Sequence, residues 1–214
     1  MSTDLLLSLN EARVLACLFE KSITTPQYYP MTQNGVMLAA NQKNSRYPVM
    51  SLTEGDVGAA LNTLEQQRLV KRDETSGRAV KWRQQFPHQL LLKPGIAAVL
   101  ATLMLRGPQT IAEIRSNASA LGGPAEADGV QAALDDLADR ARPLVKQLPR
   151  APGQAAVRFA HLLCGESAIP SVADAPAGAS SASSGGGNAT LVAQLVERIE
   201  ALEARVAELE RQLS

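Results

Sequence analysis

The eight residues Val57-Gly-Ala-Ala-Leu-Asn-Thr-Leu64 return further along the chain as Val130-Gln-Ala-Ala-Leu-Asp-Asp-Leu137, with every apolar position in the same register. In each copy a Val, an Ala and two Leu fall at i, i+3, i+4 and i+7, the spacing of one face of a helix. Each copy leads into a second shared piece, Leu69-Val-Lys71 and Leu144-Val-Lys146. The repeat therefore spans a helix and the strand that follows it, which makes it a supersecondary unit rather than a chance match.

Working outward from the first copy, Thr53 precedes the helix with Asp56 three residues on, a weak capping box, and the helix is expected over Glu54 to Arg68. Leu69–Asp73 and Arg78–Arg83 alternate around the turn Glu74-Thr-Ser-Gly77, the signal of a β-hairpin. Upstream, Asn10 is a candidate cap for a first helix over Glu11 to Lys21, with Val14, Leu15, Leu18 and Phe19 on one face. Thr24 to Pro30 carries two prolines and reads as a short extended connection, after which Thr32 opens a second helix to about Gln42. The second repeat has the same order: helices over Gly95–Leu105 and Thr110–Ala118, the matched helix, and strands over Leu144–Leu148 and Ala156–Leu162.

Helix, extended piece, helix, helix, hairpin is the order of a winged helix-turn-helix domain. The expected fold is thus mainly α with small β-hairpin wings. It comprises tandem winged-helix domains over residues 1–86 and 87–165, with 84–93 as a short join. A single all-helical domain is the alternative, and it leaves both hairpin signatures unexplained.

Residues 166–189 are rich in Ala, Ser and Gly and read as a flexible linker. Beyond it, Val192, Leu195, Ile199, Leu202, Val206, Leu209 and Leu213 alternate steps of three and four, so 190–214 reads as a coiled-coil helix. Arg198 and Arg205 at g would face Glu203 and Glu210 at e of a parallel partner, which makes self-association and a dimer the expectation. An amphipathic helix docked on its own chain is the alternative, because three heptads are marginal in isolation.

Composition narrows the function classes. The 214 residues are 45% hydrophobic and only 3% aromatic, so the core must be built from Leu, Val and Ala, which suits helices. There is no 18-residue apolar run and no charged-then-apolar leader, so the expected location is the cytoplasm. Cys17 and Cys164 form no metal or redox spacing, and His88 and His161 stand apart from any ligating or catalytic pattern. No nucleophile, base and orienting residue fall into a motif, so neither an enzyme nor a cofactor is expected. Residues 1–86 hold 10 Lys/Arg and 8 Asp/Glu, 87–165 hold 8 and 6, and 166–214 hold 3 and 7, so a mildly basic body carries an acidic tail. That is weaker than the basic footprint of a dedicated non-specific DNA binder.

Two stretches could carry binding. Opposite the apolar face of the first repeated helix lie Gly55, Ala59, Asn62 and Gln66, small and amide residues suited to close approach and to adenine edges. Arg68, Arg78 and Lys81 are candidate phosphate contacts around them. Glu54 and Asp56 at the same helix start oppose a phosphate backbone, and favour the helix dipole. In the second repeat the equivalent stripe is Asp128, Ala132, Asp135 and Asp139, which DNA would repel. The second stretch is the polar run Asn41, Gln42, Lys43, Asn44 and Arg46. It is either a recognition surface for phosphate or a partner's carboxylates, or a set of groups that satisfy the backbone of a long loop.

Thr24-Thr-Pro26, Tyr29-Pro30, Asn34-Gly-Val36, Asn41-Gln-Lys43, Arg46, Pro48-Val-Met50 and Leu103-x-Leu-Arg-Gly-x-Gln-Thr110 together resemble the YceH-like family of bacterial proteins. The resemblance covers both repeats and the C-terminal heptads. It implies a tandem winged-helix fold, no known catalytic activity and an inferred link to DNA. The long Ala/Ser/Gly linker is where this chain differs. The resulting expectation is a DNA-binding or regulatory protein acting through domain 1. The alternative is a non-enzymatic adaptor of the chromosome-organisation accessory type, with a protein partner on domain 2.

Overall fold

A computed structural model describes residues 5–73, 79–150 and 156–169. The linker from residue 170 onward and the heptad helix of 190–214 lie outside the described residues, as do 74–78 and 151–155. Glu166–Ala168, at the start of the expected linker, forms one 3-10 turn.

Helix α1 (Leu9–Thr24) begins two residues earlier than an Asn10 cap would place it. Glu11 N donates to Ser8 Oγ at 3.2 Å, and Ser8 N donates to the Glu11 carboxylate at 2.9 Å. Ser-x-x-Glu supplies this reciprocal pair, whereas Asn10 is followed three residues later by Arg13, so the capping box wins. After a 3-10 turn over Pro26–Tyr28 the chain forms strand β1 (Met31–Thr32). Thr32 then caps α2 (Gln33–Ala40), its hydroxyl accepting from Gly35 N. Helix α2 stops short of Gln42, because Asn41 turns away to bond elsewhere.

Helix α3 (Glu54–Gln66) is capped by Thr53 and Asp56 as the sequence indicates. It ends where Arg68 adopts the left-handed region (φ 60°) and Leu69 N reaches back to Leu64 O at 2.9 Å. Strands β2 (Val70–Asp73) and β3 (Lys81–Gln84) form the expected hairpin. β1 joins β3 on its other edge, giving the antiparallel order β1-β3-β2 with Met31 opposite Trp82. A two-residue strand has too little text for period-two reading, and its pairing is made by tertiary contact alone.

The stretch read as a join contains the short helix α4 (Phe86–Gln89), and Phe86 is fully buried against Phe19, ring centroids 5.2 Å apart. Burial of a side chain this size contributes about 2–3 kcal/mol. The second repeat follows as α5 (Pro94–Arg106), α6 (Ile111–Ala118) and α7 (Ala127–Ala138), then the two-stranded sheet of β4 (Val145–Gln147) and β5 (Phe159–His161). The result is a mainly helical protein with small antiparallel sheets.

Both helix faces predicted by the repeat are observed. Val57, Ala60, Leu61 and Leu64 are buried on α3, and Val130, Ala133, Leu134 and Leu137 on α7. The two halves share one continuous core. At its centre α1 and α5 pack on each other, each buried over an unbroken run, Ala12–Phe19 and Ala97–Leu105. A helix buried all round loses its amphipathic stripe, which is the physical reason for the shared core.

Candidate nucleic-acid interface

The outer face of α3 carries Gly55, Ala59, Asn62 and Gln66, all exposed. Helix α2 crosses it closely: Gln33 Nε2 donates to Glu54 O at 2.8 Å, and a Cβ on Gly58 would sit 3.0 Å from that nitrogen. At the start of α3, Thr53 donates from N and Oγ1 to Asp56, at 2.8 and 2.6 Å, and these bonds hold the Asp56 carboxyl below its usual pKa. Asp56 is therefore a capping group, and Glu54 is the exposed carboxylate at this end.

The sheet supports the same face. Arg72 on β2 lies 5.1 Å over the Trp82 ring, donates to Asn62 Oδ1 at 3.3 Å and pairs with Glu65 at 3.0 Å. It orients Asn62 and has half its side chain, 52%, still exposed to a further partner. Arg83 on β3 pairs with Asp73 at 2.7 Å and lies 5.8 Å from the Tyr29 ring. The Tyr29 hydroxyl accepts from Gln84 N at 2.7 Å, and burial raises its pKa. Arg68 and Lys71 are exposed and Lys81 is partly so. Arg78 lies outside the described residues. Lys71 and Arg72 belong to this face although the sequence singled out neither. Lys71 was legible as the polar neighbour of buried Val70 on a wing strand, whereas Arg72, two residues from Val70, breaks that alternation and is held out by the Trp82 ring.

The polar loop after α2 is built differently. Asn41 closes it on itself, Nδ2 donating to Leu52 O at 2.8 Å and Oδ1 accepting from Leu52 N at 2.7 Å. Arg46 is 5% exposed. Its guanidinium forks onto both Glu20 oxygens, donates to Ala39 O at 3.1 Å and to Gln42 Oε1 at 3.0 Å. Burial opposes its charge, but the Glu20 hydrogen bond prevails and leaves the Arg46 pKa raised. Neither Asn41 nor Arg46 is presented to an outside phosphate. Gln42, Lys43 and Asn44 are exposed at the loop tip.

The loop then reaches across to the second repeat. Tyr47 N donates to Leu105 O at 2.8 Å, Arg106 donates to Ser45 Oγ at 2.7 Å, and Gly107, at φ 71°, leaves room for the Tyr47 ring. A Cβ there would lie 2.7 Å from Tyr47 Cδ1. Arg13 of α1 donates to Pro48 O at 2.8 Å and to Ala40 O at 3.4 Å. Asn41 and Arg46 are thus committed within the first repeat, and Ser45 and Tyr47 join the loop to the second. Arg13 sits in the apolar run of α1, and nothing in its spacing marked it.

On α7 the equivalent outer positions, Asp128, Ala132, Asp135 and Asp139, are exposed as expected. Three cations of the second repeat are paired. Arg140 bonds Asp136 at 2.8 Å and Leu90 O at 2.6 Å, Lys146 bonds Glu166 at 2.9 Å, and Arg158 bonds Glu113 at 3.0 Å. Among the described residues no three His, Cys, Asp or Glu side chains gather as a metal site, and no helix is long and apolar enough to cross a membrane.

Fold and surface define a mainly helical protein whose two repeated outer helices carry opposite chemistry, amides beside cations on one and carboxylates on the other. The chain belongs to the family described as "Protein of unknown function, DUF480", whose profile matches residues 7–154. It is 42% identical over 206 residues to a UPF0502 protein of Geobacter sulfurreducens, covering 96% of this chain and 91% of that one. A UPF0502 protein of Azoarcus sp. is 41% identical over 200 residues, with 93% and 87% covered. One from Shewanella oneidensis is 39% identical over 212 residues, with 97% and 96% covered. The YceH-like resemblance is consistent with this family.

Proposed function

We propose that each repeat is a winged helix-turn-helix unit and that the protein binds DNA through the first, as a DNA-binding or regulatory protein without catalytic activity. The order α1, β1, α2, α3, β2, β3, with β1 completing a three-stranded sheet, supports the winged-helix reading. In that arrangement α3 is the groove-reading helix and the β2–β3 hairpin is the wing. The observation that carries the DNA reading is the exposed amide pair Asn62 and Gln66 flanked by Arg68, Lys71, Arg72 and Lys81. The amides offer donors and acceptors to base edges, and the cations offer phosphate contacts at the groove margin. Lys43 at the loop tip adds a further cation, whereas Arg46 is committed to Glu20, Ala39 and Gln42 inside the first repeat. The heptads from Val192 to Leu213 would pair two copies as a parallel coiled coil, matching paired half-sites.

The test is DNA binding by the full chain as a function of salt. Wild type should show a log–log salt slope of several units, and Lys71→Ala/Lys81→Ala should weaken affinity and flatten the slope by roughly one to two. Asn62→Ala/Gln66→Ala should reduce discrimination between sequences and leave the slope unchanged. The exposed carboxylates of α7 favour a second reading, an adaptor that docks a basic partner on the second repeat. No DNA binding even at low salt would select it.

A further inference from the structure

The start of α1, the loop at Tyr47 and the segment around β5 line a partly open cavity of about 50 Å³, bordered among others by Leu9, Ala12, Arg13, Tyr47, Met104 and His161. Four buried side-chain polar atoms among the described residues have no hydrogen-bond partner, and the two nitrogens among them, Arg13 Nε and His161 Nδ1, belong to residues lining this one cavity. Buried polar atoms are normally paired, so an orphan pair at one cavity points to a missing partner.

Charge says what kind of partner. Arg13 is 2% exposed, and among the described residues its side chain bonds the carbonyls of Ala40 and Pro48 alone. The nearby carboxylate, Glu20, is forked onto Arg46 and also lies 3.5 Å from Lys21. Arg106, half-buried beside the same loop, adds another cation and bonds only a hydroxyl, that of Ser45. Around this cavity the cations thus exceed the carboxylates: among the described residues neither Arg13 nor Arg106 has a carboxylate at ion-pair distance, and Glu20, already forked onto Arg46, reaches Arg13 only at longer range. A water molecule would satisfy the two nitrogens and leave that excess of charge uncompensated; an anion does both.

Size and lining narrow the anion. At roughly 10–15 Å³ per water the cavity holds about three to five heavy atoms. Formate and acetate fit within that range, and phosphate stands at its upper limit. The walls from Leu9, Ala12 and Met104 suit a methyl group better than further oxygens. We propose that this cavity is a binding site for a small carboxylate, which accepts hydrogen bonds from Arg13 Nε–H and from His161 in its Nδ1–H tautomer. Its occupancy ties α1 and the Tyr47–Met50 loop of the first repeat to β5 of the second, independently of whether α3 binds DNA.

The test uses the full chain with sodium acetate, against sodium chloride at equal ionic strength. Acetate should give a saturable rise in Tm that chloride does not, with a concurrent shift of the His161 ring nitrogen resonances. His161→Phe keeps a ring and removes the donor, and Arg13→Lys keeps the charge and removes Nε. Each should weaken acetate binding about ten- to hundredfold. Sodium formate, which lacks the methyl group, is the second probe; saturable binding of either acid supports the site, and tighter binding of acetate places the methyl against Leu9, Ala12 and Met104. Absence of saturable binding of both probes to wild type overturns the proposal, as does full affinity in His161→Phe. The wild-type titration decides the matter if Arg13→Lys fails to fold.

Discussion

Helices α3 and α7 bury the same four-residue face and differ on the other. Where α3 shows Gly55, Ala59, Asn62 and Gln66, α7 shows Asp128, Ala132, Asp135 and Asp139. The difference extends to their surroundings, because Lys71 and half of Arg72 stand exposed beside α3 while Arg140, which follows α7, is engaged with Asp136. Packing requires only the inner face, so the outer face was open to diverge. A duplicated scaffold here carries two surfaces, one compatible with a polyanion and one opposed to it.

The sharpest way to break this comparison is at the cores that hold the two surfaces. Arg46→Ala strands Glu20 and three loop carbonyl and amide acceptors, and should cost about 3–5 kcal/mol in urea unfolding. Arg158→Ala, which breaks the more exposed Arg158–Glu113 pair of the second repeat, should cost about 1 kcal/mol. Equal costs would mean that the buried Arg46–Glu20 pair is no more important than an ordinary surface pair.

Acid separates the halves next. Burial pushes the His161 pKa down to about 4, so the folded state resists a proton that the unfolded chain takes near 6.5. Between those values the unfolded state binds more protons, so stability falls as pH falls, by up to roughly 3 kcal/mol. His161→Phe should remove that dependence, which unfolding midpoints between pH 7 and pH 4 would reveal. An unchanged profile would place the acid sensitivity elsewhere.

Charge transfer between the outer faces sharpens the functional contrast. Asp128→Asn/Asp135→Asn/Asp139→Asn should leave the unfolding midpoint near wild type and raise non-specific DNA affinity several-fold at low salt, measured by fluorescence anisotropy. No gain would argue that α7 faces away from any bound polyanion.

The smallest effect lies at the helix starts. Thr53→Ala removes the α3 capping box and should cost about 1 kcal/mol, whereas the α7 cap, Glu126, makes no side-chain cap bond and Glu126→Ser should gain a few tenths to 1 kcal/mol. Thermal unfolding of both variants checks the pair.

How far the chain could be read without coordinates follows from which interactions are local. Buried faces of α3 and α7, the helix starts at Thr32 and Thr53 and both hairpins follow from local pattern and were legible, whereas Thr110, read as the first residue of its helix, is its cap. Ser8 was legible in principle, since Ser-x-x-Glu is in the text, but Asn10 competed for the same role. Strand β1 was too short to carry a pattern, and α4 hid within a stretch that looked like a connection. For the candidate interface, Asn62 and Gln66 follow from helical phase alone. Arg72 required the knowledge that Trp82 lies across the hairpin to hold its guanidinium.

The polar loop shows the limit most clearly. Its composition announced that Asn41, Gln42, Lys43, Asn44 and Arg46 had something to bond, without saying what. Asn41 and Arg46 turned inward because Leu52, Glu20 and Ala39 are brought to them by folding, at separations of 11, 26 and 7 residues. The sequence by itself determined the repeat, the helix faces and the opposite chemistry of the two outer surfaces, since periodicity and charge are local properties. Only the tertiary structure decided that α1 and α5 share one core and that Arg13 and His161, 148 positions apart in the numbering, line one cavity. Burial and charge compensation are summed over neighbours in space, and no pattern along the chain encodes that sum.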